Sequence, residues 1–449
     1  MVLKLSIPVA EPARPMVDRL RDGAKARVHW GLAHGFPRAV LRSAARHGDL
    51  QGRLVVAGGT EGDDLWAVIE EVRAAGPLHR SRLAYMTADH AAVREVLSSN
   101  DFHSGVPQRT AGLIGRWATR TAPDVVHPIE PPSLLVTDPP DHTRYRKLVS
   151  RVFTVRAVEN LRDRTQQIAT ELLDGIPTDE PVDLVEAYCS LLPVTVIAEI
   201  LGVPEADRDR VLAFGTAAAP SLDLGLDWPT YRRVDAGLHS FDAWLTRHID
   251  RLRREPGDNL LSQLVAAHDE DGTLSETELK STAGLVLAAG FETTVNLLGN
   301  GIRLLHDHPD QRRLLEDDPG LWPNAVEEVL RLDPPVLLTG RFAERDTEVA
   351  GRPVRAGAMV TTILAGANRD PQVFSDPTRF DITRENAREH ISFSAGRHYC
   401  LGASLARMEG EVGLRTLLER FPDLQLLPGS RRRTTRILRG FEALPARLS

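Results

Sequence analysis

One of the two cysteines in the chain, Cys400, falls in the segment Phe393-Ser394-Ala395-Gly396-Arg397-His398-Tyr399-Cys400-Leu401-Gly402, directly before a helical pattern. A free cysteine is ordinarily a small buried hydrophobe. Here Gly396 lets the chain turn sharply, and Gly402 lets the backbone come close to a large flat ligand. Unpaired N–H groups at the start of the next helix would favour a thiolate, the form that attacks carbon or binds metal. A thiol hydrolase using Cys400 and His398 is one reading, but with a single residue between them the two make a poor nucleophile and base.

A second group lies at Ala289-Gly290-Phe291-Glu292-Thr293-Thr294, midway along a long helical pattern. Glycine weakens a helix and a buried acid weakens it further, and such local conflicts tend to mark functional sites. A threonine hydroxyl can bond a helix carbonyl one turn back, and an acid beside an alcohol can pass protons. Leu285, Ala288, Ala289 and Thr293 recur at i, i+3, i+4 and i+8, so they share one helix face. Glu328-Val-Leu-Arg331 places an acid and a base on one face as well, a spacing that alone usually marks an exposed pair.

These residues must be positioned by a chain that reads as mainly α with minor β. Helical patterns cover 141–152, 156–174, 183–201, 205–218, 229–254, 258–268, 275–306, 309–317, 321–332 and 401–421. The longest opens with a capping box, Ser275-Glu-Thr-Glu278, and at about 1.5 Å per residue would exceed about 40 Å. Before position 141 the signals are an amphipathic stretch from Val28 to Arg46, β-like segments around Leu78 to Met86, and a Pro-, Gly- and Thr-rich region from about Asn100 to Pro140. Further β-like segments fall at Glu348–Val349 and Met359–Leu364. Regular β-α alternation is missing, which argues against a dinucleotide-binding fold. The expected organisation is an arginine-rich N-terminal extension, 1–50, and a single domain, 51–449.

With 449 residues, 42% hydrophobic and 26% charged, the chain can bury a large apolar cofactor without disulfides. A net charge of -7 gives no reason to expect nucleic acid as a partner. Two cysteines far apart in sequence argue for a reducing, cytoplasmic setting. The most apolar stretch, Ala283 to Phe291, is stopped by Glu292, well short of the twenty or so residues of an integral membrane segment. The N-terminus lacks a signal-peptide core.

The cysteine segment, Phe-x-x-Gly-x-His-x-Cys-x-Gly, resembles the haem-binding loop of the cytochrome P-450 family. Ser394 departs from it, since many members carry glycine there. Ala289-Gly290-Phe291-Glu292-Thr293 resembles the family's Ala/Gly-Gly-x-Asp/Glu-Thr motif, and Glu328-x-x-Arg331 its Glu-x-x-Arg motif, with Arg379 in Pro377-Thr-Arg-Phe380 as the third partner. His142-x-x-x-Arg146 resembles the family's His-x-x-x-Arg helix. The resemblance covers about residues 50 to 449. It implies the cytochrome P-450 fold, with a long central helix over the haem and a small β-rich subdomain. The cofactor would be haem b, iron protoporphyrin IX, with Cys400 as the metal ligand.

By the same resemblance Phe393, Ser394, Gly396, Leu401, Gly402 and Ala406 would surround the sulfur side of the haem. His142, Arg146, Arg341 and His398 would meet its two propionates, whose burial needs cations and hydrogen bonds. Ala289, Gly290, Thr293 and Leu337 would lie against the ring, and Glu292 and Thr293 would deliver protons for dioxygen cleavage. Leu285, Ala288, Ala289, Val336, Leu337 and Leu338 would touch a hydrophobic substrate, with the loop around 100–130 and the 205–240 region completing the pocket.

The implied activity is that of a monooxygenase, an oxidoreductase that inserts one atom of O2 into a hydrophobic organic compound by hydroxylation or epoxidation, as in secondary metabolism. No flavin or nicotinamide fingerprint accompanies these motifs, so a ferredoxin and its reductase are the expected electron source. Arg144, Lys147 and Arg151 form a basic set suited to an acidic donor. The alternative is a non-enzymatic haem protein, a gas sensor or carrier. A sensor would normally carry an output domain, and no spare segment is long enough for one.

Overall fold

The computed structural model describes residues 16–58, 64–105, 120–123, 125–271 and 274–448, without the side chains of 16–22 and 267–271. Of the expected pocket loop around 100–130, positions 106–119 and 124 lie outside the described residues.

The organising element is the helix Glu276–Asp307. Ser275 Oγ accepts from Glu278 N at 3.3 Å while Glu278 Oε2 accepts from Ser275 N at 2.6 Å, the reciprocal capping that the sequence predicts. The carboxylate of Glu278 also takes Arg144 Nη2 at 2.7 Å, which ties this helix start to the helix Asp141–Val149. Helices Leu191–Leu201, Arg208–Ala218, Trp228–Arg254, Leu260–Asp271, Trp322–Leu332 and Ala403–Arg420 surround it. The last of these comes very close, since a methyl on Gly413 would lie 2.7 Å from Leu298. Phe291, Leu298, Leu192, Leu245 and Leu417 make the main core between them.

A five-stranded sheet lies beside this helical body, in the order His79–Arg80, Tyr85–Thr87, Met359–Thr362, Thr339–Ala343, Phe102–His103. Tyr85–Thr87 and Met359–Thr362 pair in parallel, and the other pairs are antiparallel. A smaller core of Leu54, Leu65, Val72, Met86 and Ile363 joins the sheet to helices Leu50–Ala57 and Asp64–Ala74.

The helical patterns from 141 onward are found within a few residues of their expected limits, with two breaks. The 183–201 pattern opens as a π turn, Val185–Cys189, and 156–174 is split between Val155–Glu159 and Arg162–Asp174. Helices Leu50–Ala57, Asp64–Ala74 and His90–Ser98 were not anticipated. Each is short, and tertiary packing, not a long periodic signal, stabilises it. The Val28–Arg46 stretch is helical, running on from Met16–Trp30 through a π turn at Gly31–Gly35 into Phe36–Arg46. Among the described residues no helix is long and apolar enough to cross a membrane.

Candidate active site

The cysteine loop is held by its own backbone. Cys400 N donates to Phe393 O at 2.9 Å, Tyr399 N to Gly396 O at 3.1 Å and Ser394 N to Ile391 O at 2.9 Å. Gly396 takes a φ of +66°, and a Cβ there would stand 2.5 Å from Leu97 O, so a side chain is excluded twice over. Ser394 holds a left-handed φ of 63° with a side chain, and its buried Oγ has no hydrogen-bond partner. At Gly402 an added Cβ would meet nothing within 4 Å, which leaves that face clear for a flat ligand.

Cys400 is accessible to solvent by surface area and yet is walled in by protein atoms, as expected of a thiol that faces an interior cleft and not the outer surface. Burial pushes its thiol up, against the opposing pulls of the Gly402 amide and the Arg146 and Arg407 guanidiniums. The Gly402 amide at the start of the next helix thus pulls toward the thiolate, as expected, but burial outweighs it, and coordination to a metal would reverse that balance.

Four nitrogen-bearing side chains come from three separate elements. His142 and Arg146 share the helix Asp141–Val149, Arg341 sits on the strand Thr339–Ala343, and His398 belongs to the cysteine loop. The imidazoles of His142 and His398 stand 4.4 Å apart between centroids. Burial, then the charges of His398 and Arg146, lowers the pKa of His142 to about 4. Burial pushes Arg341 down to about 10, and among the described residues its side chain bonds only Thr339 Oγ1 at 3.2 Å and Gly340 O at 2.8 Å. The side-chain Nε2 atoms of both histidines are buried without a hydrogen bond. Asp138 is the carboxylate nearest them, 3.6 Å from His398 Nε2, which is an electrostatic contact too long for a hydrogen bond. Such a surplus of unsatisfied donors and cations fits the two propionates of a haem, and the clear sulfur with the open face at Gly402 fits its iron and ring.

On the long helix, Leu285, Ala288, Ala289, Gly290 and Thr293 are the less buried positions in a largely buried stretch, so the face shared by Leu285, Ala288, Ala289 and Thr293 is the accessible one, with Gly290 beside it. Thr293 Oγ1 donates to Ala289 O at 3.3 Å. At Gly290, also half-buried, a Cβ would come 2.8 Å from Ile197 Cγ1, so the missing side chain lets this helix pack closely against Leu191–Leu201. Each residue advances about 100° around a helix, which sets position 290 beside the 285–289–293 face. Glu292 is buried between Thr216 Oγ1, which donates to it at 3.1 Å, and Arg433 Nη1, 3.1 Å away. The arginine contact is close enough for an ion pair but out of line for a hydrogen bond.

Three placements differ from expectation. Leu337 is turned into the smaller core with Leu54 and Met86, against which half-buried Leu338 also packs. Val336 and Leu338 stay half-buried, Val336 bridging to Leu438. Glu328 and Arg331 form a fully buried bidentate pair at 2.6 and 2.8 Å, but its third member is Arg384, 3.3 Å from Glu328 Oε1, and not Arg379. Arg379 offers only its carbonyl, 3.0 Å from Arg331 Nη2, and its side chain is exposed. In the basic set, Arg144 is committed to Glu278 and Asp141, while Lys147 and Arg151 are exposed.

The sequence reading also missed the support beneath the loop. Buried Glu327 takes His390 Nε2 at 3.0 Å and Arg407 Nε at 2.9 Å, and the Arg407 guanidinium covers the Phe393 ring at 4.5 Å. Arg407 was visible in the sequence one turn into the last helix, but nothing local linked it to Glu327. Glu409 of the same helix is fully buried, with Thr294 of the long helix as its polar neighbour, so the helix that follows Cys400 is packed directly on the helix that carries Thr293.

A profile of the family described as Cytochrome P450 matches residues 321–445. A Mycobacterium tuberculosis protein assigned as cytochrome P450 140 is 52% identical over 430 residues, covering 94% of this chain and 98% of that protein. The 6-deoxyerythronolide B hydroxylase of Saccharopolyspora erythraea is 44% identical over 70% of this chain and 77% of its own length. Among solved structures, the P450 monooxygenase TamI with bound tirandamycin C superposes with a TM-score of 0.77 at 36% identity, over 86% of this chain and 99% of that one. Together with the thiol loop and the cationic cluster, these likenesses place the chain in the cytochrome P450 family of monooxygenases.

Proposed function

We propose that this monooxygenase binds haem b through Cys400 and inserts one oxygen atom of O2 into a hydrophobic secondary metabolite, by hydroxylation or epoxidation. The observation that carries the cofactor assignment is the cluster of His142, Arg146, Arg341 and His398, with its orphaned imidazole nitrogens, beside an accessible thiol. His142, Arg146, Arg341 and His398 hold the propionates, Phe393, Ser394, Gly396, Leu401, Gly402 and Ala406 shape the sulfur side, and Ala289 and Thr293 face the opposite side. The bound haem supplies the dioxygen chemistry.

The residues of the chain supply position and protons. Thr293 turns a hydroxyl toward the accessible face while retaining a long bond to Ala289 O. Glu292, one residue earlier, is the acid that recharges that hydroxyl with protons through water, after leaving Thr216 and Arg433. Leu285, Ala288, Ala289, Val336 and Leu338 offer the apolar contacts for substrate. Relatives named as a 6-deoxyerythronolide B hydroxylase and as a tirandamycin C-bound monooxygenase support a bulky natural product as the substrate class. Electrons come from a ferredoxin and its reductase, docked through Lys147 and Arg151, and the enzyme works in the cytoplasm.

Purified protein, reduced and exposed to carbon monoxide, should show the red-shifted Soret band of a thiolate-ligated haem, and Cys400→Ala should abolish it. Persistence of the band in that variant overturns the ligand assignment. A spectral-shift screen of the wild type against polyketides, terpenes, steroids and fatty acids then reads the substrate class.

A further inference from the structure

The helices Arg208–Ala218 and Trp228–Arg254 form a roof beside the accessible face of the long helix. A Cβ on Gly215 would penetrate the Phe291 ring at 1.9 Å, Thr216 bonds Glu292, and a Cβ on Gly284 would lie 3.1 Å from Phe241. At about 100° per residue, Gly284, Phe291 and Glu292 flank the face of Leu285 and Ala289 on one side. The roof therefore borders the accessible face along its Ala288 edge, with Thr293 at the other edge. The two roof helices are joined by residues 219–227, and connections of this kind are ordinarily among the least stable parts of a fold.

This connection is fastened from two directions by chain segments remote in sequence. From the C-terminal side, Asp223 accepts from the amides of Arg436 and Ile437 at 2.9 and 3.0 Å, and Arg436 Nη1 donates to Leu224 O at 2.7 Å. From the N-terminal side, Trp30 Nε1 donates to Leu226 O at 2.9 Å and Arg38 Nη1 to Gly225 O at 3.0 Å. Arg38 also lies 3.7 Å from Asp227. The indole of Trp30 meets that of Trp228 edge-on at 5.6 Å, and Arg27 covers the other ring at 4.3 Å. Ala26 and Trp30 close the apolar cluster of Leu226, Tyr231, Val234 and Leu238.

We propose that the helical segment Met16–Arg46 is a strap that holds the roof connection 219–227 in place, with Trp30 and Arg38 as positioning residues that set how fast, and how large, a ligand reaches the accessible face of the long helix. This rests on the haem site proposed above. A segment that only needed to cover exposed apolar surface would have no reason to spend two directed side-chain bonds on the carbonyls of one turn. Those bonds fix the turn in one place, as a clamp does.

The test uses the full-length haem-loaded protein and two iron-coordinating probes of different size, imidazole and 4-phenylimidazole. Trp30→Ala should raise both the association and the dissociation rate of 4-phenylimidazole by about tenfold, the factor that corresponds to about 1.4 kcal/mol. Its equilibrium affinity should stay nearly constant, and imidazole should respond less. Arg38→Ala, which removes one tether of the turn and leaves the indole packing in place, should give a smaller increase in the same direction. Arg46→Ala, exposed at the end of the same helix, should leave all rates unchanged. Amide exchange of residues 224–231 should accelerate in step in the first two variants. Wild-type ligand kinetics in both Trp30→Ala and Arg38→Ala overturn the strap, as does faster exchange without faster binding. If Trp30→Ala fails to fold, Arg38→Ala decides. A wild-type protein without the thiolate Soret band would instead sink the haem site, while the exchange comparison would still report whether the connection is clamped.

Discussion

Arg433 Nη1 lies 3.1 Å from Glu292 Oε2, joining the C-terminal segment to the centre of the long helix across 141 positions of sequence, and both side chains are largely buried. A buried carboxylate that loses its cation is strongly destabilising, by about 3 kcal/mol or more. Arg433→Ala should therefore lower unfolding free energy by about that amount in denaturant titrations. Adding Glu292→Gln should restore part of the loss, since no charge is then left unpaired. Strictly additive effects in this double-mutant cycle would show that the two groups do not depend on each other.

Thr293 is the accessible alcohol of the Ala289–Thr294 segment, whereas Thr294 is buried. With Thr293→Ala, substrate-induced spectral shifts should keep their affinity while product formed per NAD(P)H consumed falls about tenfold and hydrogen peroxide rises to match. Unchanged coupling removes Thr293 from proton delivery.

Ser394 adopts φ 63° in the cysteine loop and buries an unpartnered hydroxyl. A left-handed side-chain-bearing residue costs about 1–2 kcal/mol, and glycine gives back part of that in unfolded-chain entropy. Ser394→Gly should stabilise the protein by about 1 kcal/mol, read as a raised denaturation midpoint at unchanged slope. A destabilised variant would mean that the hydroxyl has a partner worth more than the strain.

Arg384 donates to Ser375 O at 2.7 Å, to Asp376 O and Arg379 O at 3.2 Å each, and sits against Glu328. Arg384→Ala should cost about 3 kcal/mol, whereas Arg379→Ala should stay within about 0.5 kcal/mol of wild type. Equal losses at both positions would restore Arg379 to the buried ion-pair set.

His34 and His248 are each held unprotonated, mainly by burial, with a pKa lowered to about 4. Once unfolded they take up protons near their ordinary value of 6.5. The unfolded state thus binds more protons between about pH 6.5 and pH 4, and stability must rise with pH through that window. Each imidazole contributes at most about 1.4 kcal/mol per pH unit, less for the partly exposed His34. The thermal midpoint should fall on going from pH 7 to pH 5, and His248→Gln should flatten that fall. A midpoint independent of pH in this range removes both groups from the linkage.

How much could be read without coordinates depended on whether a feature was local. The cysteine loop, the capping box at Ser275 and the face of Leu285, Ala288, Ala289 and Thr293 follow from turn chemistry and a period of 3.6 residues, which a single segment carries in full. The resemblance places Leu337 at the cofactor, but the smaller core claims its side chain, and the close packing of Gly290 on Ile197 is equally a contact that no periodicity encodes.

The amino-acid order alone determined which residues could ligate a metal, cap the long helix and line one side of it. Only the folded chain decided that Arg384 replaces Arg379, that Arg433 meets Glu292 and that Trp30 reaches Leu226. Helical and turn preferences are set by a residue and its near neighbours, whereas a buried charge or carbonyl is satisfied by whichever donor the packing brings within about 3 Å, however distant along the chain.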